Sequence, residues 1–305
     1  MKTLGYSVVD VFAERPLEGN PLAVFHDGRG LSSDEMQAIA RETNLSETTF
    51  VLPSDSPEED KAQGVRVRIF TTEEELPFAG HPTLGTASWL HLHHSALRGA
   101  SDLTLRLNVG PIPVSFANSA DADETQSVFA TMQQNDPVFG EQFGTEEIAS
   151  VIGMEHDDLL QGFAPQSVST GNVFCIVALR DTATLERLAI PQREANPWLK
   201  ARGIRWFYCI APQDAAALHD GRWHARMQFY SGEDPATGSA AGPCAAWLVK
   251  HRLLSSGEPA TILQGVEIKR PSRITVEAKL DGERVHAVRV SGRTISVANG
   301  SFFLR

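Results

Sequence analysis

ELPFAGHPTLGTASWL, residues 75–90, and EDPATGSAAGPCAAWL, residues 233–248, are two versions of one pattern. At a single offset of 158 positions, Glu75/Glu233, Pro77/Pro235, Gly80/Gly238, Ala87/Ala245, Trp89/Trp247 and Leu90/Leu248 are identical, and Arg68/Arg226 and His93/His251 extend the match on either side. The offset is about half the chain, so the simplest account is a protein of two similar halves. A second echo agrees. Gly19-Asn20 leads into PLAVF and Gly171-Asn172 into VFCIV, 152 positions apart, so one small gap reconciles the two registers.

Each copy reads as a strand, an acidic turn, a proline, a glycine and then a helix. The helices, 82–92 and 240–249, are mostly Ala, Gly, Thr and Ser until a Trp-Leu pair. A helix so poor in charge and rich in small residues is expected to be buried and tightly surrounded. Its first amides have no intrahelical partner and carry partial positive charge. Gly80-His81 and Gly238-Ser239 fall at those amides, and glycine lets a ligand approach the backbone closely. Two such ends turned toward one ligand would hold a carboxylate without net positive charge. The plain alternative is a pair of capping turns in a packed core.

Outward from these segments the chain alternates short strands with a few helices. Strands are expected at 6–12, 21–25, 48–52 and 65–70, the last alternating strictly as Val-Arg-Val-Arg-Ile-Phe with one wet face. Ser32-Ser33-Asp34 caps a helix ending near Asn44. Residues 54–63 read as a polar loop, and 103–107 with 112–116 as a hairpin about Gly110-Pro111. The acidic stretch NSADADETQ, 118–126, is the best linker, giving a first lobe over 1–120 and a second over 121–295. A last strand, 296–305, can return to the first lobe. The second half repeats the plan: strands at 128–133, 174–179, 205–210 and 226–230, helices near 145–152 and 184–188, and four closing strands from 262 to 298. Many strands with few helices point to an α+β fold. There is no GxGxxG and no P-loop sequence, so no nucleotide cofactor is implied.

A length of 305 residues suits two domains better than one. The net charge of −11, with no basic stripe, argues against a nucleic-acid surface but not against a small anionic substrate held by local amides. No apolar run fits a signal peptide or a membrane span, so a cytoplasmic location is expected. Cys175, Cys209 and Cys244 show no CxxC spacing and an odd count, the pattern of reduced thiols. His91, His93 and His94 lack the Cys or clustered carboxylate partners of a metal site and read as a solvated helix end. No metal is expected.

EELPFAGHPTLGTA, DPATGSAAGPC and the opening segment DVFAERPLEGNPLAVF resemble the phenazine biosynthesis PhzF-like family, as does the closing QGVEIKRPSRITVEA. The resemblance runs over essentially the whole chain. It implies a diaminopimelate-epimerase-like fold: two similar lobes, each a curled, barrel-like sheet around a central helix, usually assembled as a homodimer. It also implies a cofactor-independent isomerase, like the enzyme that moves a proton of trans-2,3-dihydro-3-hydroxyanthranilate from C3 to C1. Within NLSETTF, 44–50, Glu47 matches the family's catalytic carboxylate. On this resemblance Glu47 is the base and then the acid, with its pKa raised above the ordinary ~4.3 by partial desolvation. His81, Asp234 and Ser239 match the remaining active-site positions. Gly80, His81, Gly238 and Ser239 would hold the substrate carboxylate, while Asp234 would assist at an amino or hydroxyl group. Asn20 and Asn172 would line the site, although Gly-Asn before a strand is also a common turn.

Read without the resemblance, Glu47 is an ordinary solvated turn residue, His81 a capping histidine and Asp234 a turn former before proline. The second half supplies no carboxylate where Glu47 stands in the first, which favours one base over two. The thiol pair of the cysteine-dependent epimerases is also absent, with Ala79 and Thr237 at those places and Cys244 inside the helix. A single carboxylate that takes a proton and returns it elsewhere on the same ligand is an isomerase. The rival reading is a two-lobed protein that binds a small metabolite or a protein partner without turning it over, since one scaffold hosts many functions.

Overall fold

The computed structural model describes residues 2–117, 127–214, 218–230 and 232–304. The chain divides into two compact units, Met1–Gln133 with Ser291–Arg305, and Gln134–Val290. The acidic stretch expected as a linker, and with it the expected boundary at 120/121, lies outside the described residues.

The first unit contains β1 (Lys2–Val11), β2 (Asn20–Phe25), α1 (Ser33–Thr43), β3 (Glu47–Leu52), α2 (Pro57–Gln63), β4 (Val65–Phe70), β5 (Glu75–Leu76), α3 (Gly80–His93), β6 (Asp102–Leu107), β7 (Gly110–Phe116) and β8 (Ser127–Gln133). The second contains β9 (Val138–Gln142), α4 (Thr145–Ile152), β10 (Gln166–Ser169), β11 (Val173–Ala178), α5 (Thr182–Glu186), α6 (Gln192–Ala201), β12 (Trp206–Pro212), β13 (Arg222–Arg226), β14 (Gln228–Phe229), β15 (Gly232–Glu233), α7 (Gly238–Lys250), β16 (Ala260–Gln264) and β17 (Ser272–Asp281). A long last strand, β18 (Arg284–Leu304), begins in the second unit and ends in the first.

Pairing sense repeats between the units. In the first, β1–β2 is antiparallel, β2–β3 parallel, β3–β4 antiparallel, β4–β6 parallel and β6–β7 antiparallel. In the second, the series β10–β11, β11–β12, β12–β13, β13–β16 and β16–β17 runs through the same senses. The sequence repeat is therefore a repeat of topology. In the first unit, β8 lies beside β18 and β18 pairs antiparallel to β1 over Thr294–Leu304, which closes an eight-stranded barrel.

Inside that barrel α3 touches β1, β2, β3, β6 and β8, and Gly80 through Leu90 are all buried. Such a helix has room only for small side chains. A Cβ on Gly85 would come within 2.7 Å of methyl groups of Leu22 and Val11. In the second unit α7 meets β10, β11 and β17, strands from both ends of the pairing series, so this sheet too curls around its helix. A Cβ on Gly242 would run into the Gln134 side chain. Each sheet is covered outside by helices: α1 places Met36, Ile39 and Ala40 against Phe25, Phe50 and Phe70, while α4 and α6 pack on Cys175, Val177 and Phe207. With both faces covered, strands such as VFCIVA read as unbroken apolar runs.

Local chemistry explains the boundaries. Ser32 and Glu35 form a reciprocal capping box, and Asn44 ends α1 in the left-handed conformation. The loop expected at 54–63 is instead partly helix: Pro57 opens α2 and the buried Asp60 carboxylate accepts the Ser54 amide. Helix α6 was not expected, because Pro197 interrupts its pattern. The strand expected at 226–230 ends at Arg226, and the last two of the four expected closing strands are one, β18.

Candidate active site

Glu47 is the first residue of β3, and the parallel pairing of β2 with β3 sets it opposite Leu22, two residues from Asn20. Helix α3 runs against both strands and begins at Gly80, so His81 meets the two of them. His81 Nε2 lies 3.5 Å from Glu47 Oε2, and His81 Nδ1 lies 3.2 Å from Asn20 Nδ2. Burial pushes the His81 pKa down to about 3, because a cation there would lose its hydration. The imidazole is therefore neutral at physiological pH and its approach to Glu47 is not an ion pair. The Glu47 side chain keeps 16% of its exposure against 4% for His81, and the Glu47 oxygen that faces the ring is itself buried.

No side chain caps α3 and its first turn carries no acid, so the Gly80 and His81 amides stand at an electropositive helix end. Ala79 is extended at the cap, with its carbonyl accepting the Thr83 hydroxyl at 2.6 Å. A largely shielded carboxylate, a neutral imidazole and the amides of a helix start can together hold an anion and move a proton.

In the second unit, Asp234 is buried and its Oδ2 accepts the Thr237 hydroxyl at 2.6 Å. Gln264, fully buried, ties this turn together. Its amide nitrogen donates to the Asp234 carbonyl and to Thr237 Oγ1, while its oxygen accepts the Thr237 amide and the Tyr208 hydroxyl. Gly265 follows with φ near +76° and Pro235 backbone against it, which accounts for the Gln-Gly pair in the closing motif. Gln134 donates to the Gly238 carbonyl and accepts the Thr170 hydroxyl. Ser239, half-buried, occupies the α7 position that His81 has in α3, and Asn172 is half-buried at the foot of β11. The first unit thus brings Glu47, His81, Gly80 and Asn20 together, and the second brings Asp234 to the start of α7 beside Gly238 and Ser239.

Gln134 and Gln264 escaped sequence reading, because a lone glutamine carries no local signature. A second pair of anchors is legible in the repeat itself. Arg68 grips Glu75 and Arg226 grips Glu233, two residues of each pair having already been matched at the common offset. These pairs fix the acidic turn ahead of each central helix. The three histidines at the end of α3 are not simply solvated. His91 packs on Phe116, His93 stacks on Trp89, and His94 Nε2 lies 3.2 Å from the buried Asp60 carboxylate. Among the described residues no group of three or more His, Cys, Asp or Glu side chains is placed to hold a metal ion, and no helix is long and apolar enough to cross a membrane.

The family model described as "Phenazine biosynthesis-like protein" matches residues 9–300. The chain is 38% identical to trans-2,3-dihydro-3-hydroxyanthranilate isomerase of Pseudomonas aeruginosa, over 98% of this chain and 99% of that one. The crystal structure of the Bacillus anthracis phenazine biosynthesis protein of the PhzF family superposes with a TM-score of 0.85 at 27% identity, covering 100% of both chains. A predicted epimerase from Pseudomonas aeruginosa gives 0.81 at 34% identity, covering 99% of this chain and 100% of that one. Fold and relatives define an isomerase built on the diaminopimelate-epimerase-like scaffold of two curled sheets, each around a helix. Within that class, the chain belongs to the PhzF-like family.

Proposed function

We propose that this isomerase moves a proton between two carbons of a small cyclic or amino-acid-like carboxylate, with Glu47 as the only acid–base group. The substrate class is that of the trans-2,3-dihydro-3-hydroxyanthranilate isomerases it resembles. The observation that carries the reading is the pairing of Glu47 with an imidazole that burial keeps neutral, 3.5 Å away. A histidine whose burial has lowered its pKa to about 3 is a poor proton acceptor, which leaves the proton transfer to the carboxylate. Glu47 takes a proton from one carbon, the electron pair left behind shifts along the conjugated system, and the carboxyl group, after exchanging with water, delivers a proton to a second carbon. Atoms and charge balance without an added reagent, so neither metal nor nucleotide enters the scheme. The Gly80 and His81 amides bind the carboxylate of the substrate. Asp234, Gly238 and Ser239 are proposed as ligand-binding groups of the second unit.

The test is turnover and solvent exchange in Glu47→Gln, which keeps size and hydrogen bonding but cannot take a proton. Turnover should fall at least ~10²-fold, the low end for a positioned acid–base group. Deuterium incorporation from heavy water should vanish, while binding of a carboxylate ligand changes much less. Full activity and exchange in the variant would remove Glu47 from the role and make Asp234→Asn the next variant to measure. If the wild type binds carboxylates yet never exchanges deuterium into them, the protein is a binder and the proposal falls.

A further inference from the structure

We infer that Asn20 is a positioning residue that fixes the tautomer of His81, so that the ring presents Nε2–H toward Glu47 and acts as a hydrogen-bond donor. Asn20, expected to line the site, reaches the ring with its side chain. Its amide nitrogen, a donor with no acceptor capacity, lies 3.2 Å from His81 Nδ1, and both side chains are buried. A neutral imidazole has one N–H. If Nδ1 accepts from Asn20, the ring proton must sit on Nε2, and the hydrogen bond at one nitrogen dictates the role of the other. Nε2 is buried, makes no hydrogen bond within the protein, and lies 3.5 Å from Glu47 Oε2. That is longer than an ordinary hydrogen bond, as catalytic contacts often are before substrate closes them. An Nε2–H there stabilises the carboxylate form of Glu47 and leaves the ring unable to accept the travelling proton.

The depressed basicity of His81 agrees, since a ring that stays neutral cannot change role during the reaction. The repeat sharpens the point. In the second unit Ser239 takes the place of His81, and the matching Asn172 is half-buried. Asn20 and His81 therefore form a pair found in one copy, the copy that carries Glu47. The significance for catalysis rests on the proton-carrier reading of Glu47; the tautomer itself does not.

The experiment is long-range proton–nitrogen correlation NMR on protein labelled with nitrogen-15 histidine, without substrate, from neutral pH down to about pH 5. The His81 signals are those missing in His81→Gln. In the wild type Nε2 should be the protonated nitrogen and Nδ1 the bare one throughout. In Asn20→Asp the new carboxylate accepts instead of donating, so the proton should move to Nδ1 and the ring should titrate at higher pH. Asn20→Asp should also lower kcat more than it raises KM. A wild-type His81 carrying Nδ1–H, which the opposite amide orientation of Asn20 would impose, overturns the assignment and requires no variant to fold. An Asn20→Asp protein that keeps bare Nδ1 overturns it as well. A wild type that shows Nε2–H but no proton exchange on any ligand upholds this assignment while the isomerase proposal fails.

Discussion

Arg226 holds Glu233 through two guanidinium nitrogens, at 2.9 and 2.7 Å, with both side chains only 8% exposed. The remaining Arg226 nitrogen donates to the carbonyls of Leu185, Glu186 and Leu188. Arg68 and Glu75 form the same two-pronged pair in the first unit, at 19% and 26% exposure. The pair joins the strand before each central helix to the turn that leads into it. The hydrogen bond from Arg68 holds the Glu75 pKa down; at Arg226 burial pulls the pKa down, but the hydrogen bonds to Glu233 and the nearby carboxylates outweigh it and leave the pKa raised.

The difference in burial predicts a difference in cost. Arg226→Ala strands a buried carboxylate and frees three carbonyls, and should destabilise by about 3–5 kcal/mol. Arg68→Ala loses the same geometry nearer to water and should cost roughly 1–3 kcal/mol. Thermal midpoints of the two variants, measured side by side, check the order. Equal losses would show that burial of the second pair is not what stabilises it.

Acid stability should carry the mark of His81. In the unfolded chain the ring titrates near ~6.5, whereas in the folded protein it stays neutral down to about pH 3. Between those values the unfolded state binds the extra proton, so stability falls as pH drops. The contribution is intact above ~6.5 and is lost progressively toward pH 3. His81→Gln should therefore give a shallower acid limb in stability measured against pH. An unchanged limb would assign the acid sensitivity to other groups.

The thiols should be inert. Cys175 and Cys209 sit in the core under α4 and α6, and Cys244 is inside α7. Burial raises the pKa of all three, that of Cys209 to about 12, so the reactive thiolate is scarce. Treatment of native protein with iodoacetamide at pH 8 should leave isomerase activity intact, and Cys244→Ala should remain active. Rapid inactivation by alkylation would reopen thiol chemistry.

Much of the architecture could be read from residues 75–90 and 233–248, because a helix buried on all sides must be built from small residues and this one occurs twice. The capping box at Ser32 and the alternation of Val65–Phe70 were equally local signals. What could not be read depends on distant pairing. Glu47 has no local mark that separates it from a solvated turn residue, and was singled out by family resemblance alone. Its meeting with His81 depends on β2 lying parallel to β3 and on α3 crossing both. Gln134 and Gln264 act through backbone groups of the α7 turn that only the folded chain brings near them. Helix α6 hid behind Pro197, and α2 behind a run of acids that shelters one buried aspartate.

Strand β18 also sets an order of events during synthesis. Within the first barrel, the closing partner of β1 is Thr294–Leu304, which follows the whole of the second unit in the chain. The second unit, contiguous from Gln134 to Val290, has its strands β9–β17 available sooner. A growing chain must therefore carry an unclosed first sheet, with the edge of β1 waiting, until Thr294–Leu304 has been made. Such long-range closure is slow and leaves strand edges open to wrong pairing. Chains halted before Thr294 should show protease-resistant second unit and a digestible first, the reverse of the order in which the two are made.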